Sequence, residues 1–343
     1  MRPKRLQLAL LALAGLHLVV ALAGFLAPYP YAEQDRSLPW APPTRIHFVD
    51  AAGKFHWRPF IYQQVPAPSG FGYVEDHSRI FPLRFWVPGE PYRLLGLIPA
   101  ERRLLGVDEP ARLFLAGSDG FGRDQWSRLL HGGRISLLAG LLAATLSLSL
   151  GLLVGALAGF YGRLTDAVLM RLAELFLSLP WLYLLLGARA FLPLSIAPSQ
   201  AFLLIVLLVG AIGWARPARM IRGVVLSARE RGYVLAARGF GASDRHILWR
   251  HILPQTRGLL LTQAAILAPR FILAEVTLSF LGLGVGEPMP SLGSLLSELQ
   301  KAHVLASYGW MFVPAVALVA VFLAYHGLAR ALSSAESTEG VLP

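Results

Sequence analysis

Side chains that could carry out chemistry are sparse in this sequence. The lysines are Lys4, Lys54 and Lys301, and none is followed by the serine or threonine of a GxxxxGK[ST] phosphate-binding loop. The HExxH pattern of zinc proteases and the GxSxG pattern of serine hydrolases are absent, and there is no cysteine to act as nucleophile or metal ligand. We therefore expect no catalytic residue, no metal site and no cofactor bound by this chain.

One polar segment between two apolar stretches has a pattern typical of a contact surface. Residues 233–254 read YVLAARGFGASDRHILWRHILP. Helix-forming residues precede Gly239 and Gly241, and Ser243 is placed to cap a second helix whose first turn carries Asp244. The pattern predicts a helix, a tight glycine turn and a short second helix.

These two predicted helices and their turn carry apolar side chains whose exposure to water would be unfavourable. We expect Pro254 to end the second helix, and we expect Tyr233, Phe240 and Ile247 to be exposed among arginines. A solvated loop would suit a run of charges, but it accounts poorly for the glycine turn and the apolar residues. A groove on a partner protein would bury them.

The rest of the sequence is that of a membrane protein. Hydrophobic residues make up 55% of the 343 residues and charged residues 15%, where soluble domains carry about 25% charged residues. We expect Pro180 to kink the third of six apolar stretches. Each stretch is long enough to cross a hydrocarbon core roughly 30 Å thick, and they cover approximately 6–27, 135–160, 167–192, 200–215, 258–283 and 308–331.

Basic residues indicate the orientation of these spans. The net charge is +11, and 28 of the 31 basic residues are arginines beside the apolar stretches, which favours basic cytoplasmic loops over nucleic-acid binding. Arg2, Lys4 and Arg5 place the N-terminus in the cytoplasm, if the first span is retained and not cleaved as a signal peptide. Segment 216–257, with nine arginines against two acidic residues, is then cytoplasmic, as is the C-terminus.

The segment between the first two spans is too long to be structureless. RIHFVD and FHWRPFIYQ flank a turn, and LRFWV and YRLLGLI add aromatic and branched runs. We predict a small β-containing extracytoplasmic domain over 29–116, followed by an interfacial segment over 117–134.

Two features inside the spans concern packing and polarity. Gly151, Gly155 and Gly159 recur every four residues, so they share one helix face that another backbone can approach closely. Arg171 and Glu174 lie three residues apart and can pair. They form either a functional intramembrane pair or a structural pair at the cytoplasmic interface.

The polar segment resembles the cytoplasmic EAA loop of membrane subunits of binding-protein-dependent ABC importers. The Glu-Ala-Ala of the family falls on Leu235, Ala236 and Ala237, its glycine on Gly241, and its closing Leu-Pro on Leu253 and Pro254. By this resemblance the residues that couple to an ATPase are Tyr233, Leu235, Ala236, Ala237, Gly241, Ala242, Ser243, Asp244, Leu253 and Pro254.

Other stretches are similar to the dipeptide, oligopeptide and nickel branch of that family. They are GSDGFGRDQWSR (117–128), DAVLMRLAE (166–174), LAEVTLSFLGLGV (273–285) and PSLGSLL (290–296). Two departures from the family pattern matter: Leu235 replaces the family's glutamate, and the domain before Gly117 is longer than in ordinary members.

The resemblance implies an all-α polytopic membrane protein of the type I ABC importer permease fold. It has six transmembrane helices and a small β-containing extracytoplasmic domain between helices 1 and 2. The expected divisions are 1–28 (tail and helix 1), 29–116, 117–134, a permease core over 135–332 with its coupling loop at 216–257, and a cytoplasmic tail over 333–343.

The same resemblance implies a set of partners in the cytoplasmic membrane of a prokaryote. They are a homologous permease subunit forming a heterodimer, one or two ABC ATPase subunits carrying ATP and Mg, an extracytoplasmic solute-binding protein and the lipid bilayer, with no nucleic acid. A self-contained membrane enzyme and a non-transporting receptor are the alternatives.

Overall fold

Apolar helices dominate the part of the chain that this computed structural model describes, namely residues 2–68, 70, 72–94, 97–190 and 197–339. Four helical stretches are long and apolar enough to cross a membrane: Lys4–Ala21, Gln125–Tyr161, Asp244–Phe280 and Gly309–Ser334. Two bent helix pairs pass the same test together, Arg163–Ser178 with Trp181–Gly187 and Pro198–Gly213 with Ala215–Arg229. The described residues therefore contain four candidate spans, or up to six if each bent pair is one span.

The chain divides into two compact units. The first comprises Met1–Leu13, Leu137–Leu278 and Val321–Pro343, and the second comprises Ala14–Ser136 and Ser279–Ala320. The helices in chain order are α1 (Arg2–Ala21), α2 (Ala23–Leu26), α3 (Gln125–Tyr161), α4 (Arg163–Ser178), α5 (Trp181–Ala190), α6 (Pro198–Gly213), α7 (Ala215–Arg229), α8 (Gly232–Gly239), α9 (Asp244–Ile247), α10 (Arg257–Phe280), α11 (Leu292–Ser297), α12 (Ala302–Ser307) and α13 (Val313–Glu339).

The second unit contains β-strands, three of which lie on predicted runs, whereas the strands Tyr73–Pro82 and Ile98–Gly106 were not predicted. The strands in chain order are β1 (His47–Val49), β2 (Phe55–Pro66), β3 (Tyr73–Pro82), β4 (Arg84–Leu94) and β5 (Ile98–Gly106). β1, β2 and β3 form one antiparallel sheet in that order, and β4 pairs with β5 in another. The turn between β1 and β2 is held by the Asp50 carboxylate, which accepts hydrogen bonds from the backbone N–H of Ala52 and Lys54.

The third predicted span is not one helix. α4 ends at Ser178, α5 begins at Trp181, and the two axes differ by 89°. Leu179 is extended (φ −85°, ψ 137°) because a residue before proline is disfavoured in the helical region. Pro180 then directly precedes α5, and its carbonyl accepts a hydrogen bond from the N–H of Leu184, so its missing N–H costs nothing there. Positions 191–192 at the end of this predicted span lie outside the described residues.

The prediction that Pro254 ends a helix is wrong. The chain stays helical from Asp244 to Phe280, through a π-helical turn at Leu248–Ile252 and a 3-10 turn at Leu253–Thr256. The backbone N–H of Leu253 donates to the carbonyl of Leu248, five residues back. Such changes of hydrogen-bond register accommodate a proline that can neither donate nor tolerate the carbonyl four residues before it.

In the first unit, α3 lies directly against α7 along its glycine face. A Cβ atom added to Gly151 would lie 2.7 Å from the Cβ of Pro217, and one added to Gly155 would lie 2.5 Å from the carbonyl oxygen of Ala218. A Cβ on Gly159 would come within 2.9 Å of a backbone carbonyl of α7. The three glycines therefore permit a backbone-to-backbone approach that any larger residue would prevent.

In the second unit, α3 begins ten residues before the predicted start of its span, next to a buried carboxyl group. Asp124 is 2% exposed, and its Oδ2 accepts hydrogen bonds from the N–H (2.8 Å) and Oγ (2.5 Å) of Ser127. Its Oδ1 has no hydrogen-bond partner within the described chain. Burial raises the pKa of Asp124 to about 6.

We predict that Gly155→Ala destabilises the first unit by roughly 1–3 kcal/mol, because the added methyl group must displace the backbone of α7. Gly223→Ala is the matched control, since Gly223 lies in α7 with open space around it, and there alanine should be neutral or stabilising. The measurement is the temperature at which the purified protein loses its monodisperse elution in detergent. Equal behaviour of the two variants would contradict the proposed packing role of Gly155.

We predict a pH-dependent effect of Asp124→Asn. The folded pKa is above the ordinary value of 3.8, so the folded state binds the extra proton and the free energy of unfolding falls as pH rises from about 4 to about 6. Asparagine keeps an acceptor for Ser127 and cannot ionise. The variant should therefore gain stability relative to wild type across this window, on the order of 3 kcal/mol.

A control for this effect is Asp76→Asn. Hydrogen bonds from the backbone and side chain of Ser78 lower the pKa of Asp76, an exposed carboxyl group. Ionised Asp76 therefore stabilises the folded state above its ordinary pKa, and this contribution is lost as pH falls. The pH dependence has the opposite sign to that of Asp124. Chemical denaturation of both variants between pH 4 and pH 7 checks the assignment, and a pH-independent Asp124→Asn difference would refute it.

Candidate functional site

The polar segment forms a helical corner, defined here as residues 230–254, in which α8 turns into α9. Gly241 has a φ of +82°, a left-handed conformation that glycine adopts without strain. The N–H of Ala242 donates to the carbonyl of Ala237, and the N–H of Gly241 donates to that of Arg238, both at 3.0 Å. This paired pattern is a Schellman motif, so the predicted glycine turn is present and its conformation requires Gly241.

The second arm of the corner begins with the predicted cap. The Oγ of Ser243 accepts a hydrogen bond from the N–H of His246 at 3.3 Å. Asp244 lies in the first turn, where its charge is favourable, and its carboxylate is 3.8 Å from the guanidinium of Arg238. Both residues act within the corner, because they fix the direction in which α9 leaves the turn.

The inner side of the corner is apolar and fully buried. Val234 from α8, Ile247 from α9 and Ile252 from the π-helical turn pack together against the α7 side chains Ile221 and Val225. The prediction that Ile247 is exposed is therefore wrong. α9 turns this side chain toward α7, an orientation that depends on the angle of the turn.

Around this cluster, the predicted coupling residues divide into two groups. Ala237 and Ala242 are partly buried and pack against it, while Ala236 is exposed on the other side of α8. Leu253 and Pro254 are half-buried in the 3-10 turn. The amide nitrogen of Gln255 contacts the hydroxyl group of Tyr233, which ties α8 to the helical stretch that leads into α10.

The outer side of the corner is an exposed surface, here called the corner surface, that combines large apolar groups with cations. Phe240 is 92% exposed, Trp249 67%, Leu235 54% and Tyr233 42%. Four exposed arginines surround them: Arg231, Arg238, Arg245 and Arg250. The sequence analysis missed Trp249. No local pattern marks it, because its outward direction depends on the burial of Ile247, which was itself not predicted.

α7 fixes the corner to the neighbouring helices. The guanidinium of Arg222 makes two charge-assisted hydrogen bonds to the carboxylate of Asp166 in α4. At the end of the same helix, Arg229 donates to the carbonyl of Gly159 in α3 at 3.1 Å. The Arg222–Asp166 pair was not predicted, because its partners are 56 residues apart and no local pattern links them.

The remaining predicted residues lie away from the corner. Arg171 and Glu174 do form an ion pair at 3.2 Å on α4, with side chains that are 85% and 50% exposed. Such an exposed pair contributes little to stability. Across the residues that are described, no group of three or more histidine, aspartate and glutamate side chains is placed to hold a metal ion.

Comparison with known proteins identifies relatives for the helical part of the chain. The family of binding-protein-dependent transport system inner membrane components matches residues 151–336, more than half of the sequence. A putative peptide permease protein of Brucella ovis is 37% identical over 220 residues, which cover 64% of this chain and 71% of the relative. The dipeptide transport system permease protein DppC of Bacillus subtilis is 34% identical over 220 residues, covering 64% and 67%.

A further relative is the oligopeptide transport system permease protein OppC of Escherichia coli, which is 39% identical over 206 residues, covering 60% of this chain and 66% of the relative. Two solved structures are similar at lower levels. The MetNI methionine ABC transporter has a TM-score of 0.42 at 19% identity, covering 60% of this chain and 95% of that one. An amino acid ABC transporter has 0.44 at 20% identity, covering 62% and 94%. With both scores below 0.5, the family assignment rests on the sequence relatives.

Proposed function

Because the chain belongs to the family of binding-protein-dependent transport system inner membrane components, we propose that it forms half of a peptide translocation pathway and that the corner surface docks onto a separate ABC ATPase. Family membership favours transport over the alternatives of a membrane enzyme or a receptor. The observation that carries the docking proposal is the exposure of Phe240 and Trp249 among arginines on a corner whose inner side is packed.

The chemistry of the chain supports an external source of energy. Its lysines do not occur in a phosphate-binding loop, so ATP and Mg are bound and ATP is hydrolysed on the partner ATPase. Members of the family assemble with such ATPases and with solute-binding proteins. We propose a heterodimer with a homologous permease, and one or two ATPase subunits below it. Peptides are the proposed solutes, because the relatives named above are peptide, dipeptide and oligopeptide permeases.

The composition of the corner surface predicts the groove that receives it. Phe240 and Trp249 would fill apolar pockets, since buried aromatic anchors dominate binding energy in protein interfaces. The arginines around them require acidic groups at the rim of the groove. Leu235 stands where the family pattern has glutamate, so the contact at this position is apolar in this chain.

The mechanism follows from how the corner is attached. One arm continues from Asp244 to Phe280 without a break in the helix, and the other is linked to α7, which is fixed by Asp166 and Gly159. Closure of the ATPases would therefore move α7 and α10 together with the corner. It would not be absorbed by the bending of a flexible loop. We propose that this motion alternates access to the pathway in a type I importer permease fold.

The proposed topology places the N-terminus, the C-terminus and the corner in the cytoplasm of a prokaryote. The strands β1 to β5 then lie outside, and we propose that they contact the solute-binding protein. The arginine content of residues 229–257 supports this orientation. Deletion of residues 45–110 with docking and uptake intact would remove the proposed role of the outer domain.

We predict that Gly241→Val uncouples ATP hydrolysis from transport. A β-branched residue is strained at a φ of +82°, so the corner should lose its shape while α7 and α10 remain in the membrane. ATPase activity and peptide uptake are measured in the same proteoliposomes. Gly239→Ala is the control, because Gly239 is a helical residue with open space around it. Normal uptake by Gly241→Val would count heavily against the coupling role.

We also predict that Phe240→Ala weakens binding of the ATPase to the permease by at least about 30-fold, the effect of losing an interface hot spot of roughly 2 kcal/mol. Phe85→Ala is the matched control, since Phe85 is an exposed phenylalanine of β4. Affinity is measured with purified components in detergent. Equal affinities for the two variants would exclude Phe240 as an anchor.

A further inference from the structure

A pocket in the first unit carries two positive charges in apolar surroundings. It has a volume of about 280 Å³ and lies where the break between α4 and α5 meets α6, α7 and α10. Its walls are formed by residues such as Phe176, Pro180, Trp181 and Phe271. Among the described residues that line it, the ionisable groups are Arg216 and Arg270.

Among the residues that the structure describes, neither arginine is paired with a carboxylate; Arg270 is half-buried and Arg216 is exposed. The two positive charges repel each other. Arg270 lies near the middle of α10, with its guanidinium 5.8 Å from the ring centre of Trp181. A charged residue at such a position in a membrane helix is costly, and it typically faces a pathway for solute or ions.

The pocket fits one end of an anionic solute. Two guanidinium groups of like charge are stabilised when an anion lies between them, and the planar fork of arginine matches the two oxygens of a carboxylate. Pockets that enclose a whole drug-sized ligand measure roughly 300–1,000 Å³. This one is smaller, so it accommodates a terminal residue and not a whole peptide.

We infer that Arg216 and Arg270 bind the C-terminal carboxylate of the transported peptide during its passage. The inference rests on the proposed function, since it takes the solute to be a peptide. The apolar walls would contact the terminal side chain, and Trp181 would hold Arg270 in place by a cation–π contact. The positive charges would repel the amino terminus, so the site would also orient the peptide.

The test uses the complete transporter in proteoliposomes, with its partner permease, ATPases and binding protein. Uptake is measured for trialanine and for trialanine amide, which lacks the carboxylate charge. The binding protein is the same throughout, so its own preference cancels when the acid-to-amide ratio of a variant is divided by that of wild type. Arg270→Gln and Arg216→Gln are each expected to lower this ratio, by about tenfold for Arg270.

Two further variants separate binding from stability. Arg270→Lys keeps the charge but not the planar fork, so its ratio should lie between that of Arg270→Gln and that of wild type. Arg219→Gln removes an exposed arginine of the same helix as Arg216 that does not line the pocket, and it should leave the ratio unchanged. Co-purification of the ATPase shows that each variant assembles.

Other results would overturn the inference. An unchanged ratio in both glutamine variants, or an equal loss of uptake for both peptides, would show that the arginines do not recognise the carboxylate. A loss of uptake that depended on anionic lipid in the proteoliposomes, and not on the peptide C-terminus, would also show that the arginines do not recognise the carboxylate. If the wild type took up neither peptide, the result would instead contradict peptide transport itself, and the inferred carboxylate site would be excluded as well.

Discussion

The close approach of α3 to α7 is the constraint on which the rest of the first unit depends. Glycines at 151, 155 and 159 bring the two backbones into contact. This contact places Arg229 beside the carbonyl of Gly159 and positions α7 to supply Ile221 and Val225 to the buried cluster of the corner. A larger residue on that face would separate the helices and remove the support of the corner surface. The packing of α3 on α7 thus holds the corner against the neighbouring helices.

Features set by neighbouring residues were predictable from the sequence. The glycine face, the turn at Gly241 and the cap by Ser243 each depend on a spacing of a few residues, and all three are present. The burial of Ile247 was not predictable in this way, because it depends on the angle between α8 and α9. Nor was the Arg222–Asp166 pair, whose partners meet only after α4 and α7 have packed.

The two prolines on which sequence reasoning relied show the same limit. Pro180 follows an extended Leu179 and separates two helices by 89°. Pro254 follows a π-helical turn and lies within a continuous helical stretch. Proline removes the same hydrogen bond in both places, so its identity does not decide the outcome. The two sites differ in the turn before the proline: at Pro254 this turn is a wider π-helical one, which has room for the ring and ends at the buried Ile252.

The high arginine content also conceals different physical roles. Arg222 is paired with a carboxylate and holds two helices together, so its charge is satisfied within the chain. Arg245 and Arg250 are exposed on the corner surface, where a charge can be matched by another protein. Arg270 lies in an apolar pocket in the middle of a long helix and has no carboxylate partner in the described chain. A count of charges supports an orientation in the membrane, but only the surroundings of each guanidinium distinguish a structural cation from one that requires an anion brought from outside.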